Sequence, residues 1–68
     1  MVNSNAIKSY IVKNGFTQEE VAKKLCISYQ SLNLKINNKV EFSVYEAYKM
    51  CEILNIPCEE MKSIFFAK

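Results

Sequence analysis

Apolar residues in this chain recur at three- and four-residue intervals and seldom alternate, which is the period of helices rather than strands. Five stretches carry the pattern. Ser4–Asn14 puts Ile7, Tyr10 and Ile11 on one face and stops at Gly15, a residue suited to the position just past a helix end. Gln18–Leu25 aligns Val21, Ala22 and Leu25. Tyr29–Asn37 has a thin stripe, Leu32 and Ile36 alone. Val44–Leu54 buries Ala47, Met50, Cys51 and Leu54, and Cys58–Phe65 offers Met61, Ile64 and Phe65. The tail Ile64-Phe65-Phe66-Ala67-Lys68 suits the end of a helix or a short edge strand. The pattern predicts an all-α protein of five helices, with residues 1–68 forming one domain.

The helix starts are written more firmly than the helices. Phe16-Thr17-x-x-Glu20-Val21 is a capping box inside a hydrophobic staple, and Phe42-Ser43-x-x-Glu46-Ala47 repeats it. Ile27-Ser28-x-x-Ser31-Leu32 keeps the cap and staple without the glutamate. Ile56-Pro57-x-x-Glu60-Met61 is a weaker fourth case, with proline where it starts a helix without interrupting it. "NNKVEF" between the third and fourth helices is a polar loop whose asparagines tolerate left-handed backbone.

Two of these starts lie eleven residues apart, so only Cys26-Ile27-Ser28 separates the second and third helices. A turn this short forces a steep crossing, the geometry of a helix-turn-helix. Ala22 is small enough to let the two helices approach, Ile27 plugs the turn, and Leu32 packs back on Val21. With Leu32 and Ile36 facing inward, Tyr29, Gln30, Asn33 and Leu34 face outward. In a DNA-binding unit these are the residues that reach base edges in the major groove.

The run Gln18-x-x-Val21-Ala22-x-x-Leu25-x-Ile27-Ser28-x-x-Ser31-Leu32, followed by Lys35-Ile36-Asn37-Asn38-Lys39 and the Glu46–Leu54 helix, resembles the Cro/repressor (XRE) helix-turn-helix family. The likeness continues through "EILNIPCEEMKSIFFAK" and is greatest to short, phage-associated members that consist of the DNA-binding domain alone. It implies a compact five-helix lambda-repressor-like fold and a sequence-specific, Cro-like or repressor-like regulator of transcription. One residue departs from the pattern: Cys26 stands where the family usually has glycine, so the resemblance implies a left-handed cysteine there.

The resemblance also implies roles. Tyr29, Gln30, Asn33 and Leu34 would meet bases: the two amides by pairing with adenine, the other two by packing on sugar or thymine methyl groups. Gln18, Ser28, Asn37 and Lys39 would hold phosphates, with Lys24 and Lys35 as further contacts. Each has a plainer alternative. Gln30 and Asn33 are also ordinary solvated amides, Tyr29 a packing ring, Leu34 a contact to the fourth helix, and Lys23, Lys24 and Lys35 solvated surface lysines. Asn38 reads as a turn former. The partner implied is a double-stranded DNA operator, bound by a weak homodimer that forms on DNA. The dimer surface is expected at Phe66, with Tyr45 or Tyr48 as companions.

Composition narrows the function further. Half of the 68 residues are hydrophobic, enough for one small core. Residues 1–40 hold six lysines against Glu19 and Glu20, a balance of +4, and residues 41–68 hold three lysines against five glutamates, a balance of −2. One end is therefore suited to a polyanion. The basic residues are all lysine; arginine, the favoured guanine reader, is absent, and this keeps a protein–protein or antitoxin-like adaptor open as the alternative function. Without histidine or aspartate, and with three cysteines lacking metal-site spacing, neither a metal, another cofactor, a small-molecule substrate nor an enzyme is expected. Cys26, Cys51 and Cys58 are expected as buried free thiols. No apolar run is long enough to span a membrane, and the N-terminus lacks signal-peptide order, so a cytoplasmic, nucleoid-associated protein is expected.

Overall fold

A computed structural model describes residues 1–66; of the tail, Ala67 and Lys68 lie outside the described residues. The five helices are α1 (Ser4–Lys13), α2 (Gln18–Leu25), α3 (Tyr29–Ile36), α4 (Val44–Leu54) and α5 (Cys58–Phe65), the number and order expected from sequence. α1 and α3 each end one residue before the expected boundary, because Asn14 and Asn37 are the caps. α2 packs on α3 and α4, while α5 packs on α4 and α1.

Every described helix start expected from sequence is present. Thr17 Oγ1 accepts from the Glu20 N–H and Glu20 Oε1 from the Thr17 N–H, and Ser43 and Glu46 repeat the exchange. Ser28 caps α3 through the Ser31 N–H. α1 has a cap that the sequence reading passed over, Asn3, whose side chain accepts from the Ala6 N–H. Pro57 sits at the N-cap of α5 and makes no side-chain cap bond. Glu60, its expected box partner, instead accepts from the Tyr10 hydroxyl at 2.9 Å and ties α5 to α1.

The helix ends follow one device as well. The described residues with positive φ are Gly15 (75°), Cys26 (63°), Asn38 (63°) and Asn55 (56°), and each stands just past a helix. In each case the following residue's N–H reaches back five positions: Phe16 to Ile11, Ile27 to Ala22, Lys39 to Leu34, Ile56 to Cys51. This is the Schellman bond, which satisfies a terminal carbonyl and turns the chain sharply. Phe16, Ile27 and Ile56 then pack against the core.

That core holds Ile7, Val21, Leu32, Ile36, Ala47, Met50 and Leu54, all fully buried. Phe42 meets Phe65 edge to face at a centroid distance of 5.3 Å, a favoured aromatic geometry. Phe65 is buried and Phe66 is 39% exposed, the division expected of adjacent aromatics at a helix end. The cysteines do not all behave as expected. Cys51 is buried, and burial pushes its thiol pKa up, with Cys58 adding to the rise, which makes it a poor nucleophile. Cys26 and Cys58 are exposed, because one occupies the turn and the other the first position of α5.

Exposure of Cys26 makes the turn a clean test of backbone strain. A Cβ in left-handed backbone costs on the order of 1 kcal/mol, partly offset by the extra freedom glycine gives the unfolded chain. Cys26→Gly is therefore expected to leave stability unchanged or raise it by up to about 1 kcal/mol. A thermal melt checks this, and a clear fall in midpoint would show that the thiol contributes packing.

Candidate nucleic-acid interface

α3 presents two different faces. Leu32 and Ile36 are fully buried, whereas Gln30, Asn33, Leu34 and Asn37, spaced i, i+3, i+4 and i+7, form the opposite stripe. Tyr29 and Leu34 are 48% and 44% exposed, so neither is absorbed into the core. Gln30 is exposed, and its amide makes no hydrogen bond among the described residues. At the helix start, the Ser31 N–H is taken by Ser28, leaving the Tyr29 and Gln30 N–H groups at the positive end of the dipole. No acidic residue lies in that first turn.

The amides are connected. Gln18 Nε2, at the start of α2, donates to Asn33 Oδ1 at 3.2 Å, and Asn37 Nδ2 donates to the same oxygen at 3.2 Å. Asn37 Nδ2 also donates to the Asn33 backbone carbonyl at 2.9 Å. Both bonds turn the Asn37 Nδ2 toward Asn33 and leave its Oδ1 without a hydrogen bond among the described residues.

Lys35 is engaged within the fold. Its ammonium lies 3.1 Å from Glu46 Oε1, donates to the Glu41 carbonyl at 3.2 Å, and sits 5.9 Å from the Phe42 ring centroid. The side chain is 13% exposed. Residue 35 flanks the buried Leu32–Ile36 stripe, so a long side chain there runs toward α4. Partial burial pushes the Glu46 carboxyl up, but the Ser43 N–H and Lys35 outweigh it, and its pKa is lowered. Such a group stabilises the fold above the ordinary carboxylate range and loses that contribution as pH falls through the lowered pKa. Lys35 and Glu46 tether α3 to the cap of α4.

The remaining expected phosphate residues stay outward. Lys39 is exposed just past α3, and Lys24 is exposed with its ammonium 5.2 Å from the Phe16 ring centroid. Gln18 shares a shallow groove with Thr17, Phe16 and Lys8. Lys8 was not singled out from sequence, since only the fold brings it to the groove beside Gln18. Asn38 also does more than turn the chain. Its Oδ1 accepts from the Val2 N–H at 2.7 Å and its Nδ2 donates to the Val2 carbonyl at 3.2 Å. The Asn3 N–H donates to the Ile64 carbonyl and Ser4 Oγ to the Ile36 carbonyl, which locks the end of α3 against the N-terminal segment and α5.

A helix-turn-helix family model of XRE type matches residues 7–61, spanning both crossing helices and most of the chain. The protein belongs to that family of DNA-binding transcriptional regulators. No curated protein gives a match. Among the described residues, no helix is long and apolar enough to cross a membrane.

The two lysines at the end of α3 should separate cleanly. Lys39→Ala is expected to lower the slope of log affinity against log salt by about one unit with the melting point unchanged. Lys35→Ala should leave the slope alone and cost about 1 kcal/mol of stability. Salt titrations of DNA binding, run beside thermal melts, distinguish the assignments; a slope change for Lys35→Ala would return it to the phosphate contacts.

Proposed function

We propose that this protein is a sequence-specific repressor whose α3 enters the major groove of an operator and occludes RNA polymerase, in the manner of a Cro-like switch protein of a phage or integrated element. The observation that carries this is the outward stripe Gln30–Asn33–Leu34 beside Tyr29, on a helix fastened at both ends by capping, Schellman and ion-pair contacts. A rigid helix with amides held on its outer face suits base reading, since side chains held in place lose little freedom on binding. Gln30 is the principal reader, its whole amide free for adenine. Phosphates are held by Gln18, Lys24, Lys39 and the Ser28 end of α3, with Lys8 added and Lys35 and Asn37 set aside.

Gln30→Ala is expected to weaken operator binding by about 1–3 kcal/mol while binding to random DNA and the melting point stay as in wild type. Competition binding against random duplex checks it, and undiminished discrimination would remove Gln30 as a reader.

One helix reads few base pairs, and two copies about 34 Å apart on a two-fold axis supply the missing specificity. The self-association surface we infer centres on Phe66, which lines a groove with Met1, Val2, Val40 and Phe42. Tyr45 and Tyr48 are exposed but do not line that groove, so Met1 and Val40 replace them as companions. The patch is small, which favours pairing on DNA over a stable free dimer. Sedimentation with a full operator duplex is expected to show two protomers for wild type and weaker pairing for Phe66→Ser. One-to-one binding by both proteins would refute pairing through this patch.

A further inference from the structure

Asn33 differs from Gln30 in a way that decides what it can read. An asparagine amide has one oxygen with two lone pairs and one nitrogen with two hydrogens. Both lone pairs of Asn33 Oδ1 are occupied, one by Gln18 Nε2 and one by Asn37 Nδ2. The orientation is anchored by backbone. Asn37 Nδ2 also donates to the Asn33 carbonyl, which only accepts, so rotating the Asn37 amide would set oxygen against oxygen. Held that way, Asn37 presents a donor to Asn33. Rotating Asn33 would then set its own nitrogen against the anchored Asn37 donor. Asn33 therefore keeps Oδ1 inward, and its Nδ2 makes no hydrogen bond among the described residues.

We propose that Asn33 reads DNA as a donor only, and that Gln18 and Asn37 are the positioning residues that impose this. The proposal rests on α3 being the recognition helix. The familiar amide–adenine pair needs an oxygen to accept from N6 and a nitrogen to donate to N7, and Asn33 has no oxygen to offer. Guanine presents two adjacent major-groove acceptors, O6 and N7, and thymine presents O4. The base facing Asn33 is thus guanine, which offers two acceptors; thymine O4 and adenine N7 offer one each, while the cytosine N4 amino group meets a donor and is rejected. Gln18 has a second Nε2 hydrogen for the neighbouring phosphate, so it joins the phosphate contact to the base contact through one amide.

Selection of bound fragments from random duplex DNA, run with wild type, Asn33→Ala and Asn33→Asp, tests the proposal. Asn33→Asp keeps an acceptor for Gln18 and Asn37 and exposes a second acceptor in place of the donor; melting curves check that both variants fold. Asn33→Ala should relax one base pair of the motif by about ten-fold. At that pair wild type should select guanine most strongly on the contacted strand, and Asn33→Asp should select cytosine or adenine over guanine there. Loss of binding to 7-deazaguanine-substituted duplex identifies the contacted guanine. An unchanged motif for Asn33→Ala, a preference of wild type for adenine or cytosine over guanine, or the same preferred base for wild type and Asn33→Asp overturns the donor assignment alone. Failure of wild type to recover any motif overturns the DNA-reading function with it.

Discussion

The three residues between α2 and α3 constrain everything else. Cys26 takes left-handed backbone, Ile27 returns its N–H to the Ala22 carbonyl, and Ser28 caps the next helix, so one helix closes and another opens with no free residue between them. The crossing angle of the two helices is then constrained by local hydrogen bonds within the turn itself. Packing of Val21, Ala22 and Leu32 follows from that angle, and the outward stripe of α3 is what the angle leaves uncovered. A left-handed cysteine is an uncommon choice for such a turn, and nothing in the surrounding contacts explains it.

A short helix fixed at one end would still rock, and the far end of α3 is held by two independent tethers. Lys35 reaches Glu46, whose carboxylate simultaneously closes the capping box of α4. Asn38 clamps the backbone of Val2, and the next residue, Asn3, bonds α5. Glu46 and Asn38 therefore each serve a local terminus and a distant element together. Such double use lets an eight-residue helix, marginal by itself, stand as a rigid surface.

Much of this was legible from residues, for identifiable reasons. Capping boxes and staples are local, spanning five or six residues, so the starts of α2, α3 and α4 could be written down from sequence with their bonding partners. The αL residues were mostly legible: Gly15 announces itself, Asn38 lies in the loop whose asparagines suit left-handed backbone, and the family pattern implied Cys26, whereas Asn55 shares its residue type with solvated loop asparagines. The pairing of Lys35 with Glu46 and of Tyr10 with Glu60 was not legible. A lysine beside a recognition helix looks the same whether it meets a phosphate or a carboxylate, and only the fold brings Glu46, eleven residues on, to within 3.1 Å. The same holds for Asn33: helical spacing places it outward beside Gln30, but which atom it shows depends on Gln18, fifteen residues away.

An all-lysine basic surface has a consequence for how affinity and specificity divide. Lysine is a hydrated point charge without the planar fork that lets arginine read guanine while neutralising charge, so here the two tasks fall to different residues. On the proposed reading, Lys8, Lys24 and Lys39 supply attraction that salt screens, and it acts equally on every sequence. Gln30 and Asn33 supply discrimination through neutral amides, whose hydrogen bonds release no counterions. Gln18 stands between the two groups, one Nε2 hydrogen engaged by Asn33 and the other available to the backbone. Rising salt then removes specific and non-specific complexes by similar factors and leaves their ratio nearly constant. Sequence preference in such a protein depends on how the amides are held rather than on how many charges surround them.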